Sequence, residues 1–211
     1  MIRLTGVGHV YSERSPWSHR ALEAVDLDVS DTERLLVVGS NGSGKSTLAW
    51  ILAGLIPPSE GSASIDGKPL SDVRGAVAIS FQHARLQLFR PTVAEDVAFG
   101  TTAGRSAADK ALRTVGLDPV VFGPRRIDEL SGGEQRRVAL AGMLVRSPKL
   151  VVFDEPFAGL DPPSRTLLIN VIARLRTATV VVSHDYEDAG RFASRVLELR
   201  DGRLVREGRV S

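Results

Sequence analysis

The chain has 211 residues, enough for one ordinary domain with a full hydrophobic core. Its 27 Lys and Arg against 25 Asp and Glu give a formal net charge of +2, which gives no sign of a nucleic-acid-binding protein. It has no cysteine, which excludes disulfides, thiolate metal sites and a catalytic thiol. The longest apolar run, residues 48–56, is too short to cross a membrane, and residues 1–15 have no signal-peptide core, so we expect a cytoplasmic chain.

The first strand pattern in the chain lies at residues 25–29, where Val, Leu and Val alternate with two aspartates. Such alternation is typical of a strand with one face buried and the other in water, as in an antiparallel sheet. Three later segments are apolar throughout, which is typical of parallel strands covered on both faces: residues 35–38, 150–153 and 179–182. We therefore predict an α/β fold with a mainly parallel sheet and a second, antiparallel sheet near the N-terminus.

The middle third of the chain, between residues 82 and 140, has no strand pattern, which indicates a helical insertion. Thr92 with Glu95, and Ser106 with Asp109, have the spacing of capping boxes that open helices. Near the end, the dipeptide at 201–202 is Asp-Gly, a hairpin signal. We predict a single domain over 1–211, divided into an antiparallel β subdomain at about 1–32 and 60–80, a core at 33–59 and 145–211, and a helical subdomain at 83–144.

A glycine-rich segment follows the apolar strand at 35–38. Residues 39–46 fit the pattern G-x-x-x-x-G-K-[ST] and precede a helical pattern. Glycines let backbone N–H groups turn inward around an anion at the helix N-terminus, Lys45 adds a point charge, and the Ser46 hydroxyl can bind Mg²⁺. The segment therefore predicts a phosphate-binding loop made of Ser40, Asn41, Gly42, Ser43, Gly44, Lys45, Ser46 and Thr47.

Two carboxylates, Asp154 and Glu155, end the strand at 150–153. They should stand at the carboxyl edge of the sheet, where open α/β folds bind ligands. One can hold Mg²⁺, and the other can orient or deprotonate a water that attacks the γ-phosphate. A charged strand end alone would more often be a solvated loop, but the phosphate-binding loop favours the catalytic interpretation.

A third segment combines a helix start with two adjacent glycines. Ser131 and Glu134 have capping-box spacing before a helical pattern at 136–145. A capping box does not need Gly132 and Gly133, which disfavour a helix, unless a ligand approaches the backbone there. We therefore interpret this segment as a second anion-binding helix N-terminus.

Together these segments resemble the nucleotide-binding subunits of ABC transporters over about residues 2–208. Residues 39–47 resemble the Walker A motif of that family, 130–135 its signature motif, 150–154 its Walker B motif and 159–161 its D-loop. The resemblance implies an ABC ATPase fold and an ATPase that uses ATP and Mg²⁺. It implies Glu155, His184 and Gln82 as catalytic residues, Ser46, Gln82 and Asp154 as metal ligands, and Tyr11, residues 40–47, Ser131, Gly132, Gly133, Glu134 and Asp161 as ATP-binding residues.

Three of these roles depend on the resemblance alone. Gln82 matches the Q-loop glutamine, His184 the switch histidine at the γ-phosphate, and Tyr11 the aromatic residue that stacks on adenine. Taken singly, they would be a surface glutamine, a structural histidine and a strand aromatic. Trp17 is the alternative for stacking on adenine.

Residues 81–100 resemble more closely the ATPase components of energy-coupling factor transporters, which take up vitamins or transition-metal ions. That resemblance implies a second ABC ATPase subunit, a transmembrane coupling protein and a substrate-binding membrane protein as partners, at the cytoplasmic face of the cell membrane. Each ATP would lie between residues 39–47 of one subunit and 131–135 of the other. A homodimer is favoured over a heterodimer, and no C-terminal dimerisation domain is expected.

Two other interpretations stay open at this point. The chain could serve another type of ABC transporter or be a soluble ABC ATPase without transport, although residues 81–100 disfavour the latter. A nucleic-acid clamp would use arginines 125, 126, 136, 137, 200, 203, 206 and 209. Because acidic residues nearly balance the basic ones, we expect no nucleic acid partner.

Overall fold

The computed structural model describes residues 1–73, 75–81, 84–187 and 189–209. Its strands are β1 Ile2–Tyr11, β2 His19–Val29, β3 Arg34–Val38, β4 Glu60–Ile65, β5 Lys68–Pro69, β6 Val77–Ser80, β7 Leu150–Asp154, β8 Ala178–Ser183, β9 Arg195–Arg200 and β10 Arg203–Arg209. Its helices are α1 Lys45–Leu52, α2 Val93–Ala98, α3 Gly104–Thr114, α4 Pro119–Phe122, α5 Gly132–Leu144, α6 Pro162–Arg174 and α7 Ala189–Phe192. None of the helices in these ranges is long and apolar enough to cross a membrane.

The smaller sheet is antiparallel and contains four strands in the order β2-β1-β4-β5. In β2, Val25, Leu27 and Val29 are buried while Asp26 and Asp28 are exposed. The alternation that predicted an antiparallel sheet at this place is therefore confirmed.

The larger sheet has six strands in the order β10-β9-β3-β8-β7-β6. All neighbouring pairs are parallel except the hairpin of β9 and β10. In that hairpin, Asp201 and Gly202 both have positive φ, at 48° and 77°, as the predicted two-residue turn requires. The apolar segments predicted as central strands are β3, β7 and β8.

β6 corrects one predicted boundary. We assigned residues 60–80 to the antiparallel subdomain, but Val77–Ser80 pairs in parallel with β7 at the edge of the larger sheet. A short 3₁₀ turn, Leu70–Asp72, separates β6 from the antiparallel strands. Four residues carry too little pattern to reveal which sheet they join, because strand pairing is set by contacts distant in sequence.

The helical insertion corrects another expectation. Thr92 and Glu95 form the predicted capping box at the start of α2. The second predicted box is wrong: Ala103 is the N-cap of α3, and Ser106 lies inside the helix. The chain enters α3 three residues earlier than predicted, because Gly104 adopts a φ of +76°, which glycine adopts without steric cost.

The larger sheet has a hydrophobic core on each face. Alternate residues of the central strands point to opposite cores, with Leu36 and Val38 toward the helical insertion and Leu35 and Val37 toward α1 and the smaller sheet. Burial on both faces fixes the register of β3, β7 and β8, since a slip by one residue would exchange the two cores. The polar residues that follow these strands therefore have fixed positions at one edge of the sheet.

Candidate functional site

The loop between β3 and α1 requires glycine at several positions. Gly42 and Gly44 have positive φ, at 79° and 100°. A Cβ at Gly44 would lie 2.4 Å from the Ala21 carbonyl oxygen, and one at Gly39 would lie 2.2 Å from the Leu199 carbonyl oxygen. Both contacts are with backbone, which cannot move aside. The predicted phosphate-binding loop thus packs closely on β2 and β9 and is held in one conformation.

Lys45 lies within the curve of this loop and is only 7% exposed. Its Nζ donates hydrogen bonds to the carbonyl oxygens of Gly39, at 2.8 Å, and Ser40, at 2.9 Å. The buried Ser43 hydroxyl has no hydrogen-bond partner among the described residues. Among the described residues, this buried cation donates its hydrogen bonds to neutral carbonyl oxygens, and the Ser43 hydroxyl nearby is unsatisfied. Both features suit an anion such as a phosphate group.

Ser46, in the first turn of α1, contacts the end of β7. Its Oγ donates to Oδ1 of Asp154 at 3.2 Å. Asp154 is 9% exposed, and burial raises its pKa, an effect that the hydrogen bond from Ser46 and the charge of Lys45 partly oppose. A hydroxyl beside a buried carboxylate is a hard-oxygen donor set of the kind that Mg²⁺ prefers, so these residues fit that ion.

Glu155 and His184 are adjacent at the rim. Glu155 follows β7 with a φ of +48°, which is uncommon outside glycine, and its N–H donates to the Val182 carbonyl at 3.0 Å. Its Oε2 accepts a hydrogen bond from Ser183 Oγ at 3.4 Å and lies 3.0 Å from Nδ1 of His184. The Glu155 side chain is 19% exposed and that of His184 is 62% exposed. Ser183 was not predicted; its position directly before His184 at a strand end was the available signal.

These groups line one open cleft of about 540 Å³. Its walls come from three sources, the phosphate-binding loop, the ends of β7 and β8, and the smaller sheet: Tyr11, His19, Ala21, Asn41, Gly42, Gly44, Lys45, Ser46, Thr47, Glu155, Ala158 and His184. The structure therefore brings together most of the residues that the sequence assigned to a phosphate site, although those residues follow different strands.

Tyr11 lies at the cleft and Trp17 does not. The Tyr11 hydroxyl is 3.2 Å from Oγ1 of Thr47, and its ring meets the His9 ring edge-on with centroids 4.6 Å apart. Trp17 is 85% exposed in the turn between β1 and β2 and is not part of the cleft wall. Of the two aromatic residues, Tyr11 is the one placed beside the phosphate-binding loop.

The predicted signature segment begins α5. Ser131 is its N-cap, and a reciprocal capping box joins it to Glu134, whose backbone N–H donates to the Ser131 hydroxyl at 3.3 Å. Burial alone would raise the pKa of Glu134, but hydrogen bonds from Ser131 and the nearby Arg125 lower it overall. Among the described residues that line the cleft, none belongs to this segment. The structure therefore does not bring the two predicted anion sites of one chain together.

The surroundings of the two glycines in this segment differ. A Cβ at Gly133 would lie 2.7 Å from the Ser164 hydroxyl of α6, so packing against that helix explains Gly133. A Cβ at Gly132 would meet no atom within 4 Å. The expectation that a ligand accounts for both glycines is thus unnecessary for Gly133, whereas nothing within the described chain accounts for Gly132.

Two other predicted residues lie apart from these groups or outside the described ranges. Asp161 is the N-cap of α6, is exposed, and its side chain accepts no capping hydrogen bond. Gln82 lies outside the described residues. Later in the chain, Gln87 donates to the Ile79 carbonyl at 2.7 Å and accepts from the Phe81 N–H at 3.0 Å, which ties the turn at residues 84–87 to the end of β6.

Several arginines that suggested a nucleic-acid clamp are engaged within the protein. Arg125, Arg126, Arg200 and Arg203 form ion pairs with acidic side chains. Arg136 donates to the carbonyl oxygens of residues 156 and 158, and burial lowers its pKa. These contacts favour the interpretation of the arginines as part of an internally balanced surface.

Comparisons with known sequences agree with the resemblance. A family model described as ABC transporter matches residues 22–158. The energy-coupling factor transporter ATP-binding protein EcfA2 of Acetivibrio thermocellus is 36% identical over 99% of this chain and 80% of its own length. The EcfA2 of Symbiobacterium thermophilum is 40% identical over 94% of this chain and 74% of its own. An uncharacterised ABC transporter ATP-binding protein of Mycobacterium tuberculosis is 48% identical over 96% of this chain, which spans only 30% of that relative.

Solved structures share the fold over nearly the whole chain. The cbiO1 protein of Clostridium perfringens, part of the ABC transporter complex cbiONQ, superposes with a TM-score of 0.88 at 28% identity, covering 99% of this chain and 88% of that one. The ATP-binding cassette MJ0796, in a dimeric post-hydrolysis state bound to ADP and Pi, gives 0.84 at 28% identity, covering 100% and 99%. With the predicted fold class confirmed, the chain belongs to the ABC transporter family.

Proposed function

We propose that this chain binds ATP with Mg²⁺ and hydrolyses it as the nucleotide-binding subunit of a membrane ABC importer of the energy-coupling factor type. The observation that carries the proposal is the cleft that Lys45, Ser46, Glu155 and His184 line together. Asp154 lies behind that wall, where it accepts a hydrogen bond from Ser46. Relatives named EcfA2 support the importer subtype. The imported substrate would be a vitamin or a transition-metal ion, which other proteins of the complex would bind.

Binding of the triphosphate would use groups that are already in position. The N–H groups of residues 40–47 and the Lys45 ammonium would contact the β- and γ-phosphates, with Lys45 exchanging its bonds to loop carbonyls for bonds to phosphate. Ser46 and Asp154, with Gln82 by family resemblance, would hold the Mg²⁺ ion, which neutralises phosphate charge when bound. Tyr11 would stack on the adenine ring.

Glu155 is the proposed base that orients or deprotonates the attacking water. Its carboxylate stands 3.0 Å from the His184 imidazole in this structure. We propose that His184 leaves Glu155 for the γ-phosphate when ATP binds, which also frees the carboxylate for water. Gln82 would contact the same water and ion by family resemblance.

A second ATPase subunit would complete each site. Ser131, Gly132, Gly133 and Glu134 lie away from the cleft of their own chain, and the backbone at Gly132 is open to approach. The N-terminus of α5 carries a partial positive charge suited to a triphosphate held by another copy. Asp161, exposed at the start of α6, would also face that copy. A homodimer is favoured because one chain carries both half-sites, and MJ0796 forms a dimer.

An apolar groove of about 320 Å³ is the proposed docking site for a transmembrane coupling protein. Leu86 and Phe89 on its edge are 72% and 68% exposed. Asp96 fixes this edge by accepting the N–H groups of Phe89, at 2.6 Å, and Arg90, at 2.9 Å. Docking there, together with a substrate-binding membrane protein, would hold the chain at the cytoplasmic face of the membrane. The cbiO1 protein of Clostridium perfringens is described as part of the ABC transporter complex cbiONQ, which supports partners of this kind.

The test of the activity uses purified protein with MgATP. Glu155→Gln should bind ATP as the wild type does but lose at least about 100-fold in turnover, the usual cost of removing a general base. Lys45→Ala should lose binding itself. Glu13→Gln, which changes an exposed glutamate in the turn after β1, is the matched control and should leave both unchanged. A wild type that does not hydrolyse ATP, or Glu155→Gln at the wild-type rate, would refute the proposal.

A substitution in the apolar groove tests the proposed docking of the coupling protein. Phe89→Asp should prevent co-purification with a coexpressed coupling protein, because a buried unpaired carboxylate in an apolar interface is costly. The basal ATPase rate of the isolated subunit should stay unchanged. Co-purification that survives this substitution would place the docking site elsewhere.

A further inference from the structure

The turn after β8 is held by its own hydrogen bonds. Ser183 is buried, and its hydroxyl accepts the Asp185 N–H at 3.2 Å while donating to Oε2 of Glu155 at 3.4 Å. Oδ1 of Asp185 in turn accepts the Glu187 N–H at 2.8 Å. His184 therefore sits between two residues whose positions are fixed, one by the end of the sheet and the other by the turn.

Arg165 reaches this turn from α6. Its Nη2 donates to Oδ2 of Asp185 at 2.6 Å and lies 3.6 Å from Oε2 of Glu187. The side chains of Arg165 and Asp185 are 27% and 32% exposed, so the pair is more buried than an ordinary surface ion pair. The guanidinium also lies 5.7 Å from the centre of the Phe157 ring, in the segment that joins β7 to α6. Arg165 thus links the turn to the segment just beyond Glu155.

Few described contacts hold the His184 side chain in place. It is 62% exposed, and its described hydrogen bond is the one to Glu155. If His184 moves to the γ-phosphate, that hydrogen bond is lost, and the imidazole position then depends on the backbone of residues 183–185. On the side of Asp185, that backbone is anchored to another element by Arg165.

We propose that Arg165 is a positioning residue for His184, acting through its ion pair with Asp185 to place the imidazole for the γ-phosphate. This inference rests on the proposed function of ATP hydrolysis and adds a residue that lies outside every recognised motif of the sequence. Arg165 would not touch the nucleotide. It would restrict the turn so that His184 alternates between Glu155 and phosphate without a search through other conformations.

The first test separates turnover from binding. Arg165→Gln should lower kcat about tenfold, as expected for loss of a group that orients a functional side chain, while KM and ATP affinity stay within about twofold. Arg165→Lys keeps the charge and should recover part of the lost rate. Arg174→Gln, at the exposed far end of the same helix, is the matched control and should match the wild type. Equal losses in kcat and affinity, or no loss in kcat, would overturn the inference.

The second test asks whether Arg165 acts through His184. In a His184→Ala background, Arg165→Gln should change kcat by less than about twofold, because the side chain that it positions is absent. A purely structural role would lower the melting temperature and reduce kcat by the same factor in both backgrounds. That additive result would overturn the inference.

The third test does not depend on activity. The sequence has four histidines, so imidazole NMR signals are few, and His184→Ala identifies the signal of His184. Arg165→Gln should shift that signal and leave those of His9 and His19 in place. An unmoved His184 signal refutes the positioning role even if the wild type hydrolyses ATP. If Arg165→Gln shifts the His184 signal but the wild type has no ATPase activity, the proposed function is refuted, whereas the effect of Arg165 on the position of His184 stands.

Discussion

Gly132→Ala tests whether the first turn of α5 meets a ligand from another subunit. Within the chain, the added Cβ has no atom within 4 Å, and Gly132 does not have a positive φ. Alanine is favoured over glycine in a helix by about 0.5–1 kcal/mol, and the first turn should realise the lower value, about 0.5 kcal/mol. For a domain of this size that gain is about 1–2 °C in melting temperature. The isolated subunit should therefore become slightly more stable.

The same substitution should damage ATP hydrolysis. If a triphosphate bound by another copy lies against the N–H groups of this turn, a methyl group displaces it and weakens at least one charged hydrogen bond. Such a bond contributes about 1.5–3 kcal/mol, so turnover should fall about 10- to 100-fold. Thermal unfolding and steady-state ATPase assays on one preparation measure both effects.

Gly133→Ala is the matched comparison. Its Cβ would overlap the Ser164 hydroxyl, so this variant should lose stability, and Ser164→Gly in the same chain should restore it. Gly132→Ala with unchanged turnover would refute the reasoning, because it would show that no ligand approaches that backbone. A marked loss of stability in Gly132→Ala would equally contradict the open space seen around it.

Three further predictions concern the aromatic residues and two carboxylates. Tyr11→Ala should weaken ATP binding about tenfold while Trp17→Ala leaves it unchanged, which fluorescent-nucleotide titration can measure. Burial raises the pKa of Asp154, so the native state binds the carboxyl proton more tightly than the unfolded chain does. The free energy of unfolding should therefore fall as pH rises from 3.8 through the raised pKa. Nucleotide-free Asp154→Asn should lose this pH dependence and be more stable than the wild type at pH 7, as measured by urea unfolding. The hydrogen bond from Lys149 lowers the pKa of Asp66 to about 2, so Asp66→Asn should be less stable at pH 7, with the difference vanishing as pH falls to about 2.

The parts of the site that sequence could predict are those encoded in consecutive residues. Gly42, Gly44 and Lys45 are specified by the backbone angles and charge that an anion-binding turn requires, and those demands are local. The capping box of Ser131 and Glu134 is equally local. In both cases the residues that form the structure are the residues that form the pattern.

What sequence could not reveal depends on contacts between distant elements. The reason for Gly133 is the Ser164 side chain of another helix. The partner of Arg165 is Asp185, on the far side of β8, and neither residue stands out alone. The wrong prediction at Ser106 has a local cause: one glycine, Gly104, lets the helix begin three residues earlier than predicted.

The order of strands in the larger sheet determines the distances between the groups of the candidate site. The phosphate-binding loop, the turn with His184, and Glu155 follow β3, β8 and β7, which are immediate neighbours in that order. Adjacent strands lie about 4.8 Å apart, so the three groups stand in a row roughly 10 Å long. One residue inserted into β8 would reverse the facing of every side chain beyond it. Such an insertion should inactivate the protein more completely than most substitutions in the cleft, because the spacing of the reacting groups is built into the hydrophobic layers beneath them.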